Sequence, residues 1–236
     1  GQPMPASLTA GQPIAQLQGK ELVCLGPRKP FRRFGECGAE ISEHFTQLGS
    51  LADWFTIIRS MTTEQINHDP AHTFMNCGTA LSGRPSMGAW VTYGLGSEAD
   101  DLPGFVVMTS KLGRNPQPIA ARQWHSGFLP GQFQGVEFST SGAPVHYVEN
   151  PAGVSGVHQR DVIETVTALE HHRLKKINDP DVVVRIKQYE LAFRMQTSVP
   201  QLADLSGETA ETLALYGAEP GKATIGTNCL MARRLI

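Results

Sequence analysis

No stretch of this 236-residue sequence approaches the roughly 18 consecutive apolar residues that a membrane-spanning helix needs, so no span is expected. Cysteine is scarce and unpatterned. Cys24, Cys37, Cys77 and Cys229 contain no CxxC pair, which argues against a structural zinc site built from all four. Their number alone leaves free thiols and disulfides both open. An excess of charge of either sign is also missing. The formal net charge of −2 predicts no strong pull toward nucleic acid or an anionic membrane, and nucleic acid is not expected as a partner. One dense basic cluster, Arg28, Lys29, Arg32 and Arg33, comes without a recognition motif and reads as solvated loop charge. Internal repeats, low-complexity tracts and a charged-then-apolar leader are absent as well. The first residue is Gly1 rather than Met, consistent with a leader removed or lying outside these residues.

What is present describes an ordinary globular chain: hydrophobic residues make up 40% and charged residues 18%, enough to bury a sizeable core. Residues 1–19 are rich in Gly, Pro and Gln and read as an irregular lead-in. "KELVCLG" has the look of a short strand. Apolar residues at Ile41, Phe45, Leu48 and Leu51 predict a helix over 41–52, weakened by Gly49. Trp54 to Met61 predicts a buried strand, because Phe55, Ile57 and Ile58 favour β structure. Asp69 as N-cap and Pro70 at the first helical position predict a helix to about Leu81. A second helix over "MGAWVTYGLG" and a core strand in "LPGFVVMTS" follow. Alternation of this kind predicts an α/β sandwich with a largely parallel central sheet.

Residues 113–153 are loop-rich and read as an insertion packed on the main body. The remainder, 155–236, is mainly helical: a long helix over 155–177, a second capped by Asp179 and Pro180, a third ending at Gly217, and a last one through "GTNCLMARRLI". His171 and His172 read as solvated surface. Tyr189, Phe193 and Met195 read as core, and Trp124 and His125 as loop anchors or cleft residues.

The most informative stretch is "INHDPAHTFMNCGTALSGRPS", Ile66 to Ser86. His68 and His72 stand four residues apart and so share one face of a helix. Three readings are open. The pair is polar structure at a helix start; or it ligates a metal, although HExxH is absent and a third ligand is required; or it does acid–base or nucleophilic work where helix N–H groups attract an anion.

The stretches "RSMTTEQINHDPAHTFMNCG", "GRPSMGAWVTYGLGSEADDLPGFVV", "GFLPGQFQGVEF", "YELAFRMQTSVPQLADLS" and "CLMARRL" resemble the DUF1501 family, bacterial sulfatase-like proteins of the alkaline phosphatase superfamily. The resemblance implies a three-layer α/β sandwich of that superfamily, here as a partial domain spanning 1–236 and truncated at both ends. Sulfatases of the superfamily carry Cys-Thr-Pro-Ser-Arg, with a helix-closing glycine ten residues after the cysteine. Counting back from Gly78 puts His68 at the nucleophile position and His72 at the arginine position, with Pro70 matching the proline. The implied activity is metal-dependent hydrolysis of sulfate or phosphate esters, carried on small molecules or glycans. His68, His72 and Asn67 are its catalytic candidates, and His68 its metal ligand. The metal would be divalent (zinc, calcium or magnesium), with further ligands outside these residues. Because His68 departs from the family's oxygen nucleophile, a non-catalytic binding or scaffold protein is the alternative. The resemblance also implies export to the periplasm or medium.

Overall fold

The computed structural model describes residues 1–11, 17, 19–110, 118–146, 149–150, 152–177 and 179–236. Its contacts divide the chain into two compact units, Gly1–Asn67 and His68–Ile236.

In the first unit, β1 (Phe31–Phe34) pairs antiparallel with β2 (Ala39–Ser42), Phe34 lying opposite Ala39. A one-turn helix, α1 (Thr46–Gly49), follows after a 3-10 turn whose start is capped by Ser42, the side chain accepting from His44 N–H. The helix expected over 41–52 is therefore reduced to a single turn. Ile41 is a strand residue opposite Arg32, and Phe45, Leu48 and Leu51 remain exposed. A helical period needs an apolar surface to face, and here the ladder with β1 claims the start of the segment instead. The basic cluster lies on the surface, Arg32 pairing with Glu43 at 2.8 Å and Arg33 with Glu40 at 3.8 Å.

The strand expected from Trp54 to Met61 is not formed. Trp54 ends a 3-10 turn (Ala52–Trp54), is 86% exposed, and is followed by residues without regular structure. β-Favouring side chains fit a half-buried pleated surface. Among the described residues no strand pairs with this segment, so its backbone has no ladder to join. "KELVCLG" likewise contributes only a bridge, Val23 against Pro3. The lead-in over 1–19 lies partly outside the described residues.

Asp53 secures this unit. Its carboxylate accepts from the backbone N–H groups of Glu36 and Cys37, both at 2.9 Å, in the turn between β1 and β2. Gly35 in that turn has φ +68°, and a Cβ there would lie 2.5 Å from Asp53 Oδ1. The bonds from Cys37 and then Glu36 hold the Asp53 carboxyl below its usual range. A depressed carboxylate pKa stabilises the fold above the unfolded value of about 4, and that contribution is lost as pH falls through the folded value. Protection of the Glu36 and Cys37 amides from hydrogen exchange should therefore drop on acidification. In Asp53→Asn, whose amide does not titrate, protection should be independent of pH; an equal acid loss in that variant would rule the carboxylate out.

The second unit begins with α2 (His68–Cys77) and α3 (Met87–Leu95). Ser86 caps α3, accepting from Ala89 N–H, and Gly96 at φ 77° ends it. β3 (Val106–Met108) and β4 (Val136–Phe138) pair in parallel, Val106 opposite Val136 and Met108 opposite Phe138. Two long helices, α4 (Gly156–Ile177) and α5 (Pro180–Ala203), pack side by side, with Arg185 reaching Glu170 at 3.1 Å. Asp179 caps α5 and Pro180 opens it, as the sequence predicts. The core forms where α5 crosses the parallel pair: Phe138, Met195 and Val199 are buried, with Val106, Met108, Val136 and Leu191 packed around them. Tyr189 is exposed and Phe193 is half-buried under Arg160 of α4, so of the three expected core residues Met195 alone is fully buried. His171 and His172 are exposed.

α6 (Ala210–Tyr216) ends at Gly217, left-handed at φ 59°, and α7 (Ile225–Leu235) starts from Thr224. Asn228 ties α7 to the ends of the strands: its amide donates to Ser110 Oγ at 3.1 Å and accepts from Thr140 Oγ1 at 2.9 Å. The loop-rich reading of 113–153 holds for its described part, which has 3-10 turns around β4; residues 113–117, 147, 148 and 151 lie outside the described residues. All four cysteines are free thiols. No helix among the described residues is long and apolar enough to cross a membrane. The chain is thus mixed α/β. Its described strands form one antiparallel and one parallel two-stranded sheet, rather than one broad parallel sheet.

Candidate functional site

α2 starts at His68, two residues earlier than the capping pattern predicts, so Pro70 falls within the first turn, where a missing N–H costs nothing. Asp69 does not cap. Its carboxylate instead accepts from the Arg122 guanidinium, while its backbone carbonyl takes the Thr73 hydroxyl at 3.1 Å. The helix ends at Cys77 rather than Leu81, because Gly78 turns left-handed at φ 70° and its N–H returns to Phe74 O at 2.8 Å. The glycine ten residues after His68 is thus the one that closes the helix.

Within this frame His68 and His72 face the same way, one turn apart. Their ring centroids are 6.2 Å apart, with the planes at 64°. His68 is exposed at the helix start, whereas His72 is partly buried. His72 Nδ1 is sealed from solvent and has no hydrogen-bond partner among the described residues. An unpaired buried polar atom costs about 1–3 kcal/mol, so a fold tolerates few of them. Asn67, the third candidate, is an exposed bend residue directly before the helix and closes the first unit; its side chain makes no hydrogen bond with a described residue.

His72 opens onto a cleft of about 430 Å³ whose other walls include Asn76, Phe105, Val107, Ile119 and Trp124. Asn76 is set by its amide, which donates to His72 O at 2.9 Å. Trp124 is buried, and its carbonyl accepts from Gly135 N–H at 2.9 Å beside β4. Trp124 is therefore the cleft residue of its dipeptide. His125 is the anchor: its carbonyl accepts from Ser86 N–H at 3.1 Å and its Nδ1 from Gly127 N–H at 2.9 Å. At the carboxyl end of the parallel pair, where ligands of α/β sheets bind, Thr109 donates to Glu137 Oε1 at 2.9 Å. Thr109 and Asn76 went unnoticed in the sequence because neither stands in a motif; parallel pairing and the helix face bring them to the cleft.

Arg122 links these parts. Besides Asp69, it is held through its carbonyl, which accepts from Cys77 Sγ at 3.7 Å, so both ends of α2 are tied to the 3-10 turn Ala121–Gln123. The Asp69–Arg122 pair is well exposed, and water screens it; positioning α2 is its main effect. Burial pushes the Cys77 thiol up, which keeps it protonated at neutral pH and unsuited to act as a nucleophile.

A metal ion is tested against this donor set. The described residues contain no group of three or more His, Cys, Asp and Glu side chains able to hold one ion. His68 and His72 supply two imidazoles, Asp69 is engaged by Arg122, and three or four ligands are required. These residues do not complete a metal site.

The fold and site together define a mixed α/β protein with a paired-histidine helix start beside an aromatic-walled cleft. The profile of the family described as "Protein of unknown function (DUF1501)" matches residues 1–236, and the chain belongs to that family. No curated protein and no solved structure matches it.

Proposed function

We propose that the His68–His72 face is the active site of a hydrolase of sulfate or phosphate esters on small molecules or glycans. The observation that carries this reading is the pair itself: two imidazoles one turn apart at the opening of α2, with His72 on the rim of a cleft that has an apolar wall. The first N–H groups of α2 have no intrahelical acceptors and suit the anionic oxygens of such an ester. Water attacks the phosphorus or sulfur as the bond to the ester oxygen breaks; His68 takes the water's proton, and a solvent proton completes the alcohol as it leaves toward the cleft. His68 has no oxygen to offer, so the covalent route through Ser, Thr or formylglycine is closed at this position. Asn67, next to His68 in sequence, is the third catalytic candidate on this proposal.

A divalent ion, zinc, calcium or magnesium, belongs to the same proposal: with it bound, His68 would give its unprotonated nitrogen to the ion as a ligand instead of acting as the base, and the ion would stabilise charge on the reacting group. The reading also includes the alkaline phosphatase-like sandwich, which the parallel β3–β4 pair under α5 supports, and a location in the periplasm or medium. A non-catalytic binding or scaffold protein is the second reading. It is favoured by the histidine in the nucleophile's place and by a donor set that stops at two imidazoles. Turnover of aryl sulfate and aryl phosphate esters by the natural full-length protein, with and without added divalent metal, separates the two. Metal-stimulated turnover is expected; none under any metal condition would leave the binding protein as the reading.

A further inference from the structure

Away from the histidines, four aromatic rings make a continuous path over the surface of the second unit. Phe128 meets Trp90 at 5.8 Å, Trp90 meets Tyr93 at 6.0 Å, and Tyr93 meets Phe133 at 5.3 Å, each pair edge to face. The rings come from two places, α3 and the segment carrying Phe128 and Phe133, so tertiary packing assembles the path. It is not a buried cluster: Trp90 is 46%, Tyr93 54% and Phe128 61% exposed. Each end runs into a cavity. Trp90 and Phe128 border one of about 310 Å³ with Thr79 and Arg84, and Phe133 borders one of about 740 Å³ with Ser97, Gln132 and Gln134. Arg84 has no acidic partner among the described residues.

We propose that this path is a binding site for a carbohydrate chain, with anionic sugars accepted at the Arg84 end. Pyranose rings present apolar C–H faces and a rim of hydroxyls. Half-exposed aromatic rings in a row cover the first, and the amide and hydroxyl side chains in the end cavities bond the second. A contiguous exposed apolar patch marks an interaction surface, and its linear form between two cavities that carry hydroxyl and amide side chains suits a linear polyhydroxylated chain. Anionic lipid headgroups fit less well, because the larger cavity carries Asp100 and Glu190 beside Lys187 and Arg194 and so offers no excess of positive charge. Arg84 supplies the charge complementarity for a sulfate or uronate group. If the hydrolase reading holds, this is where the remote part of a glycan substrate lies, but binding here does not depend on turnover.

Isothermal titration of the whole protein with a neutral galactan hexasaccharide and with its sulfated counterpart tests the site. Both should bind. Trp90→Ala and Phe128→Ser should each weaken both at least tenfold; Phe128 lies outside any helix, so its variant covers a folding failure of the first. Arg84→Ala should weaken only the sulfated sugar, whereas Leu95→Ala, exposed on the same helix, should change nothing. Absence of binding to both sugars overturns the proposal, as does full-strength binding by the Trp90 and Phe128 variants. So does Trp90-dependent binding to phosphatidylglycerol vesicles in place of the sugars.

Discussion

His68→Ala in the natural full-length protein is expected to lower ester turnover by roughly 10²–10⁴-fold, the usual worth of a positioned acid–base group. The fold should be untouched, since His68 is exposed at the first position of α2 and alanine is a better helix former. Metal content should fall with activity if His68 is a ligand. His68→Ser is the sharper variant because it puts a hydroxyl at the helix start, where the proposed likeness to sulfatases calls for an oxygen nucleophile; on that proposal it should retain more activity than the alanine. The neighbouring ring gives an independent reading. His72→Phe keeps the bulk at the cleft and removes a buried nitrogen that has no partner among the described residues. It should raise stability by about 1 kcal/mol while lowering turnover, the signature of a residue kept for function at a cost to the fold. If both His68 variants keep wild-type activity and metal content, the histidine is structural and the site assignment is wrong.

Gly127→Ala should be the most damaging single substitution near the site. Gly127 has φ +59°, a conformation that costs an L-residue about 1–2 kcal/mol. An added Cβ would also stand 2.5 Å from Arg84 C and 2.8 Å from Gly83 O, and closer still to Pro85 N. All three are backbone atoms, so no side chain can swing aside. Overpacking of this kind costs about 1–3 kcal/mol, giving on the order of 3 kcal/mol or more in total. Relief requires the loop around Gly127 to lift from the entry of α3, which breaks the Ser86–His125 bond and displaces Trp124 from the cleft. Gly142→Ala is the matched control: its φ is +78°, but a Cβ there meets nothing within 4 Å. Urea denaturation should show a loss at Gly127 well beyond that at Gly142. Equal losses would mean that the close approach to residues 83–85 contributes nothing.

Much of the second unit was legible because its signals are local. The Asp179–Pro180 start of α5, the glycines closing α3 and α6, and the shared face of His68 and His72 each depend on residues within a turn or two, where capping, left-handed φ and helical period act. The pair was visible in the sequence; its surroundings were not. Phe105, Ile119 and Trp124 reach His72 only because β3 runs beside β4 and Arg122 ties α2 to the turn before Trp124. The same limit explains the two misread segments. Ile41 carried a helical period but joined β1, and Phe55 to Ile58 carried strand composition but found no ladder among the described residues. Composition states what a segment can bury, and local rules state where a helix starts and stops. Which strand a backbone pairs with, and which side chains line a cleft, depends on partners tens of residues away, since a backbone hydrogen bond or a buried face exists only once the other half has arrived.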